Sequence, residues 1–134
     1  MKKTVFIFLL VFILVLLAGC SNKNDADSSS NKGTYRQVDA KTAKELMDTE
    51  SDYIILDVRT QEEYDEKHIP GAMLIPDYEI TERAEKELPD KNQLILIYCR
   101  SGNRSKTASQ ALVDMGYTNI VEFGGIKSWP YETE

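Results

Sequence analysis

Leu94-Ile95-Leu96-Ile97-Tyr98-Cys99-Arg100-Ser101-Gly102-Asn103-Arg104-Ser105 is the stretch from which the rest of this chain can be read. Leu94 to Tyr98 is apolar at every position, the pattern of a strand buried on both faces. From Ser105 to Met115, Ala108, Leu112 and Met115 recur at helical spacing. Cys99 to Arg104 therefore forms a loop between the carboxyl end of a strand and the amino end of a helix. In an open α/β sheet, ligands bind at that place.

The loop's residues suit anionic chemistry. A strand-to-helix loop can turn its backbone N–H groups inward as an anion-binding nest, and the helix adds unsatisfied N–H groups and the positive end of its dipole. A thiol held there ionises more easily, because helix N-termini and nearby cations favour thiolate. Arg100 and Arg104 supply the cations, and either guanidinium can hold an anion as a planar fork. Gly102 admits backbone conformations that strain other residues. No histidine stands close in sequence, so local electrostatics must activate the sulfur.

Other elements extend outward from this centre. Tyr53 to Val58 reads as a second core strand, and Asn119 to Phe123 as a last short one. Asp39 caps a short helix that turns Ala43, Leu46 and Met47 inward. Thr60-Gln61-Glu62-Glu63 has the form of a capping box. His68-Ile69-Pro70-Gly71-Ala72 turns the chain into a strand from Ala72 to Ile75; His68 is the single histidine and reads as a structural hydrogen-bonding residue. Tyr78 to Leu88 carries Ile80, Ala84 and Leu88 on one stripe of a solvated helix, which Pro89-Asp90 ends. Gly124-Gly125 reads as a tight turn, after which Ile126 and Trp129 return to the core. This alternation, repeated about four times, predicts a doubly wound, mainly parallel α/β sheet with helices on both faces.

The amino-terminal quarter is different. Met1-Lys2-Lys3 precedes an apolar run from Val5 to Ala18, roughly 14 residues and short of the ~20 that span a bilayer. It reads as a secretory leader over residues 1–19. Leu17-Ala18-Gly19-Cys20 resembles a bacterial lipobox, which implies lipidation of Cys20 and a cell-membrane anchor facing the extracytoplasmic side; two acyl chains suffice for stable anchoring. Residues 20–34 are polar and predict a flexible tether. Residues 35–134 are left as one compact domain.

The chain has 16 basic and 22 acidic side chains, net −6, which argues against nucleic acid and against a basic face docking on anionic lipid. Of the two cysteines, lipidation of Cys20 leaves Cys99 as the free thiol. No His/Cys cluster has metal-ligand spacing, and neither metal nor cofactor is expected.

Cys99-Arg100-Ser101-Gly102-Asn103-Arg104-Ser105, placed after an apolar strand and before a helix, resembles the active-site loop of single-domain rhodaneses, which are sulfurtransferases. Leu56-Asp57-Val58-Arg59, Glu62-Glu63-Tyr64 and His68-Ile69-Pro70-Gly71-Ala72 are similar to that family's amino-terminal signatures. Gly116-Tyr117, Gly124-Gly125 and Trp129 are similar to its closing segment. The resemblance spans roughly residues 35–131 and implies a rhodanese-like fold with a five-stranded sheet, in which Tyr35 to Val38 would be the fifth strand at an edge, and a Cys99 nucleophile. Cys99 would take sulfane sulfur from a small anionic donor, such as thiosulfate, and pass it as a persulfide to a thiol or cyanide acceptor. Substrate would meet Arg100, Ser101, Gly102, Asn103, Arg104 and Ser105. Asp57, Arg59, Glu63 and His68 would be structural support, and the protein would act as a monomer. Phosphatases sharing the fold place arginine six positions after the cysteine; here Arg104 stands five on and Lys106 seven, which favours sulfur transfer. Two further readings stand beside this one: a non-catalytic binding module of the same fold, and an envelope thiol-redox protein.

Overall fold

The computed structural model describes residues 33–134; the expected leader, Cys20 and nearly all of the tether lie outside the described residues. Strand β4 (Leu94–Cys99) is buried at all six positions, because each of its faces meets a different hydrophobic layer. Ile95, Ile97 and Cys99 belong to one cluster, Leu94, Leu96 and Tyr98 to the other. This period-two division is what a two-faced central strand requires.

Around it stand β1 (Arg36–Gln37), β2 (Tyr53–Asp57), β3 (Met73–Leu74) and β5 (Ile120–Gly125), in the spatial order β1-β5-β4-β2-β3. All four pairings are parallel. Helices α1 (Ala40–Thr49) and α2 (Gln61–Glu66) cover one face through Ala43, Leu46 and Tyr64, and α3 (Ile80–Glu87) and α4 (Asn103–Asp114) cover the other through Ile80, Ala84, Ala108 and Leu112. The fold is the expected five-stranded parallel α/β sheet with helices on both faces, with the edge strand at Arg36–Gln37.

Local signals act as their chemistry predicts. Asp39 accepts the Thr42 N–H at 2.8 Å and caps α1. Thr60 and Glu63 close a reciprocal capping box at the start of α2. Three boundaries differ from the sequence reading. The expected helix from Tyr78 begins as a 3-10 turn over Asp77–Glu79 and becomes α-helical at Ile80; this leaves Tyr78 at 68% exposure while Ile80 enters the core. Helix α4 starts at Asn103, ahead of the expected Ser105, so Arg104 belongs to its first turn. Gly124-Gly125 is not a tight turn but the end of β5, where Gly125 pairs with Cys99 beyond a register shift. Two residues without side chains let that strand continue beneath the loop.

One hydroxyl in the core has no partner among the described residues. Ser109 of α4 is fully buried and its Oγ makes no hydrogen bond. An unsatisfied buried polar group costs about 1–3 kcal/mol, and alanine is the better helix former. Ser109→Ala should therefore stabilise the domain by about 1 kcal/mol, raising the thermal midpoint by about 4–8 °C for a domain of this size. A lowered midpoint in a melting experiment would contradict this.

Candidate active site

Cys99 is the last residue of β4 and is 1% exposed, so its sulfur lies on the floor of the loop. Gly102, with φ 103°, is the N-cap of α4. That left-handed backbone, accessible to glycine with little strain, aims the Gly102 N–H at Cys99 Sγ at 3.1 Å. Ser105 Oγ lies 3.4 Å from the same sulfur. Burial by itself would push the Cys99 thiol up. The Ser105 hydroxyl and the backbone N–H groups of Ser105, Gly102 and Ser101 outweigh it and hold the thiol below its ordinary value.

The loop is held from below by β5. A Cβ on Gly125 would lie 2.1 Å from the Arg100 carbonyl oxygen and 2.5 Å from the Ser101 nitrogen, so only a residue without a side chain fits there. The Lys127 N–H then donates to the Arg100 carbonyl at 3.2 Å.

From the side, two buttresses made of α2 and the end of β2 hold it. Asp57 and Arg59 form a buried pair: Arg59 donates through Nε and Nη2, the shortest contact being 2.6 Å to Asp57 Oδ2. Arg59 Nη2 also donates to the Lys67 carbonyl at 2.7 Å, which ties down the end of α2. Its guanidinium lies over the Tyr98 ring, 5.5 Å from the centroid, and the Tyr98 hydroxyl accepts the Ile69 N–H at 3.1 Å. Arg104 pairs with both carboxylate oxygens of Glu63, at 2.7 and 2.8 Å. The hydrogen bonds from Arg104, together with the Thr60 N–H, outweigh partial burial and pull the Glu63 carboxyl down to about 2.

The expected site residues thus separate by position. Arg100, Ser101 and Asn103 are exposed at the rim. Gly102 presents its N–H to the sulfur. Arg104 is at the rim too, but its fork is occupied by Glu63, so it stiffens the loop and adds positive potential near the sulfur. Ser105 is fully buried beneath Cys99 and faces inward. Asp57 and Arg59 are engaged with each other and Glu63 with Arg104, beside the loop. His68 is a support of another segment: its ring stacks on Tyr64 at 3.8 Å between centroids, Nδ1 lies 2.9 Å from the Tyr64 carbonyl, and its backbone exchanges hydrogen bonds with Glu134.

Glu122 escaped the sequence reading. It is 2% exposed; its Oε1 accepts the Ser105 hydroxyl at 2.6 Å and the Gly124 N–H at 2.8 Å. Its signal was a lone acid within an apolar strand. Two clefts flank the loop and share no lining residue. One, of about 370 Å³, runs past Arg59, Glu63, Arg100 and Lys127; the other, of about 540 Å³, runs past Ser101, Gly102, Lys106 and Glu122.

Residues 39–131 match the rhodanese-like domain family, and the chain belongs to that family. It is 42% identical to the thiosulfate sulfurtransferase PspE of Escherichia coli over 72 residues, 54% of this chain and 69% of that one. It is 34% identical to the thiosulfate sulfurtransferase GlpE of Coxiella burnetii over 96 residues, 71% of this chain and 87% of that one. Among solved structures, the rhodanese-like domain of an Anabaena protein superposes with a TM-score of 0.69 at 30% identity, covering 75% of this chain and 80% of that one.

The Glu63–Arg104 pair has a consequence for stability against pH. A carboxyl depressed from 4.5 to about 2 stabilises the fold fully above 4.5, and that contribution is lost as pH falls through about 2. Discounted for the partial exposure of both groups, it amounts to about 1–2 kcal/mol. Glu63→Gln keeps a side chain able to serve the capping box and removes the charge. In urea titrations it should be less stable by that amount at pH 7 and converge with the wild type near pH 2. A constant gap across that range would show that the charge is not the cause.

Proposed function

We propose that this protein is a sulfurtransferase that carries a sulfane sulfur on Cys99. The observation behind this reading is the sulfur buried at the end of β4 with the Gly102 N–H aimed at it, at the start of a 12-residue helix. Such a site stabilises a single negative charge on sulfur before any substrate arrives. Its similarity to two thiosulfate sulfurtransferases makes thiosulfate the first donor to test.

In the proposed cycle the Cys99 thiolate attacks the outer sulfur of thiosulfate. A Cys Sγ–S bond forms, the donor's S–S bond breaks, and sulfite leaves with the electron pair. The product is the Cys99 persulfide, whose terminal sulfur takes over the place of negative charge in the cradle. A thiophilic acceptor, cyanide or a thiolate, then attacks that terminal sulfur, and the bonding pair returns to Cys99. Neither half-reaction moves a net electron to or from the enzyme. The loop contributes fixed N–H dipoles, Arg104 contributes potential, and Arg100 and Lys127 line the cleft through which an anion approaches.

We further propose that the domain works outside the cytoplasm, tethered through a lipid on Cys20. Leu17-Ala18-Gly19-Cys20 supports this reading, together with the charged start and apolar run before it.

Two experiments test these proposals. Incubation of the full chain with thiosulfate should add one sulfur atom to the Cys99 peptide, seen by mass spectrometry, removed by cyanide and absent from Cys99→Ser. No gain with thiosulfate, a persulfide or mercaptopyruvate as donor would leave a binding module or thiol-redox protein in its place. In bacteria fed labelled palmitate, the wild type should take up the label and Cys20→Ser should not; equal labelling of both would exclude Cys20 as the anchor.

A further inference from the structure

Ser105 has one hydroxyl proton, three oxygen acceptors around it, and the Cys99 thiol as a donor to its oxygen. Glu122 Oε1 is at 2.6 Å, the Gly102 carbonyl at 3.1 Å, and Cys99 Sγ and the Gly124 carbonyl at 3.4 Å. At 2.6 Å the proton points to Glu122, so toward Cys99 the Ser105 oxygen can only accept, and the S–H donates to it. Once the thiol ionises the demand reverses, because a buried thiolate needs the Ser105 hydroxyl as a donor. If Ser105 turned to the sulfur while Glu122 remained a carboxylate, two negative charges would share a pocket in which Cys99, Ser105 and Glu122 are 1%, 0% and 2% exposed. In so little solvent, two like charges are strongly disfavoured.

Resting on the reading of Cys99 as the nucleophile, we infer that Glu122 accepts the Cys99 proton by way of Ser105. The S–H bond breaks and leaves its electron pair on sulfur. Its proton forms a new O–H bond on Ser105, while the original Ser105 proton passes to Glu122 Oε1. Both hydrogen bonds persist with their direction reversed, and the trio carries one negative charge before and after. Ser105 ends as donor to the thiolate, and neutral Glu122 ends as donor to Ser105. Glu122 acts through Ser105 and is a positioning residue.

Two features of the fold make the exchange possible. In β5, Glu122 pairs with Ile97 of β4 and so lies on the sheet face that also carries Cys99. It also lines the 540 Å³ cleft, through which its proton can leave without crossing the cleft lined by Arg100. The charged groups that face the trio include Arg104 of α4, which interacts electrostatically with Cys99, its partner Glu63 of α2, and Asp77, which acts on Arg104. Arg100 comes directly after Cys99 in the loop, while Lys106 of α4 and Asp39 at the cap of α1 line the Glu122 cleft. Arg104 and Lys106 favour the single negative charge wherever it sits; no other carboxylate bonds to Ser105 among the described residues.

The test is the pH dependence of Cys99 alkylation by iodoacetamide in the full chain, followed on the Cys99 peptide so that Cys20 does not contribute. This needs no sulfur donor, so failure of sulfur transfer and failure of the shared proton are distinguishable. A shared proton gives the wild type two rises in rate separated by a plateau, because the pair loses its protons in two macroscopic steps. Glu122→Gln should lose the plateau and show one rise. Ser105→Ala keeps the carboxylate but removes the donor to the thiolate, and should lower the plateau about tenfold relative to the upper limb. A single rise in the wild type, a plateau kept in Glu122→Gln, or an unchanged plateau in Ser105→Ala would each overturn the inference. If Glu122→Gln does not fold, the wild-type and Ser105→Ala profiles decide it.

Discussion

The site depends on one close approach between two backbones. Where a Cβ of Gly125 would sit, the Arg100 carbonyl and the Ser101 nitrogen already stand. That contact fixes the height of the loop above β5. With the height fixed, Gly102 can point its N–H at the sulfur and Ser105 can fall beneath it. The same approach brings the later part of β5 under the helix start, so that Glu122 meets Ser105. Packing of this kind has little give, because neighbouring backbones cannot move as flexible side chains can. The register shift between Ile97 and Cys99 is where the sheet accommodates the arrangement.

Charge in the site is organised in three groups, each set by burial. Asp57 and Arg59 are buried and saturated, so their pair is an architectural strut; removing one partner from such a pair leaves an uncompensated buried charge. Glu63 and Arg104 are half-buried and lock α2 to the first turn of α4 while leaving a cation near the sulfur. Arg100 is exposed and has the freedom to meet a ligand. The net charge of −6 therefore says little about the local field: Asp57 and Glu63 beside the loop are partnered, and the helix start adds its own positive end.

A sulfur so enclosed has a particular chemistry. Dipoles fixed in advance need no reorganisation when charge develops, and the same enclosure limits the charge that the pocket tolerates to one. A charge on the Cys99 sulfur and the carboxylate of Glu122 draw on the same few donors. Ser105, between Cys99 and Glu122, is where that competition is decided.

Local pattern along the chain was enough to settle several features whose cause lies within a few positions. The unbroken apolar run of β4 made it the central strand, the Asp39 cap and the Thr60–Glu63 box marked the starts of α1 and α2, and residue type and order marked the Cys99–Ser105 loop as the candidate site. Preferences of this kind come from near neighbours, and here the tertiary context agrees with them. The use of Arg104 was settled only by the assembled fold, since its partner Glu63 lies 41 positions away. So was the place of Gly125 at the end of a strand and not in a turn, because the reason lies in the backbone of Arg100. Glu122 is the clearest case. Between Val121 and Phe123 nothing local says which partner a glutamate will find, and only the pairing of β5 with β4 and the descent of α4 bring Ser105, 17 positions earlier, onto its carboxylate. Burial of a charge is a property of the whole fold, and no local pattern records which distant group will be there to receive it.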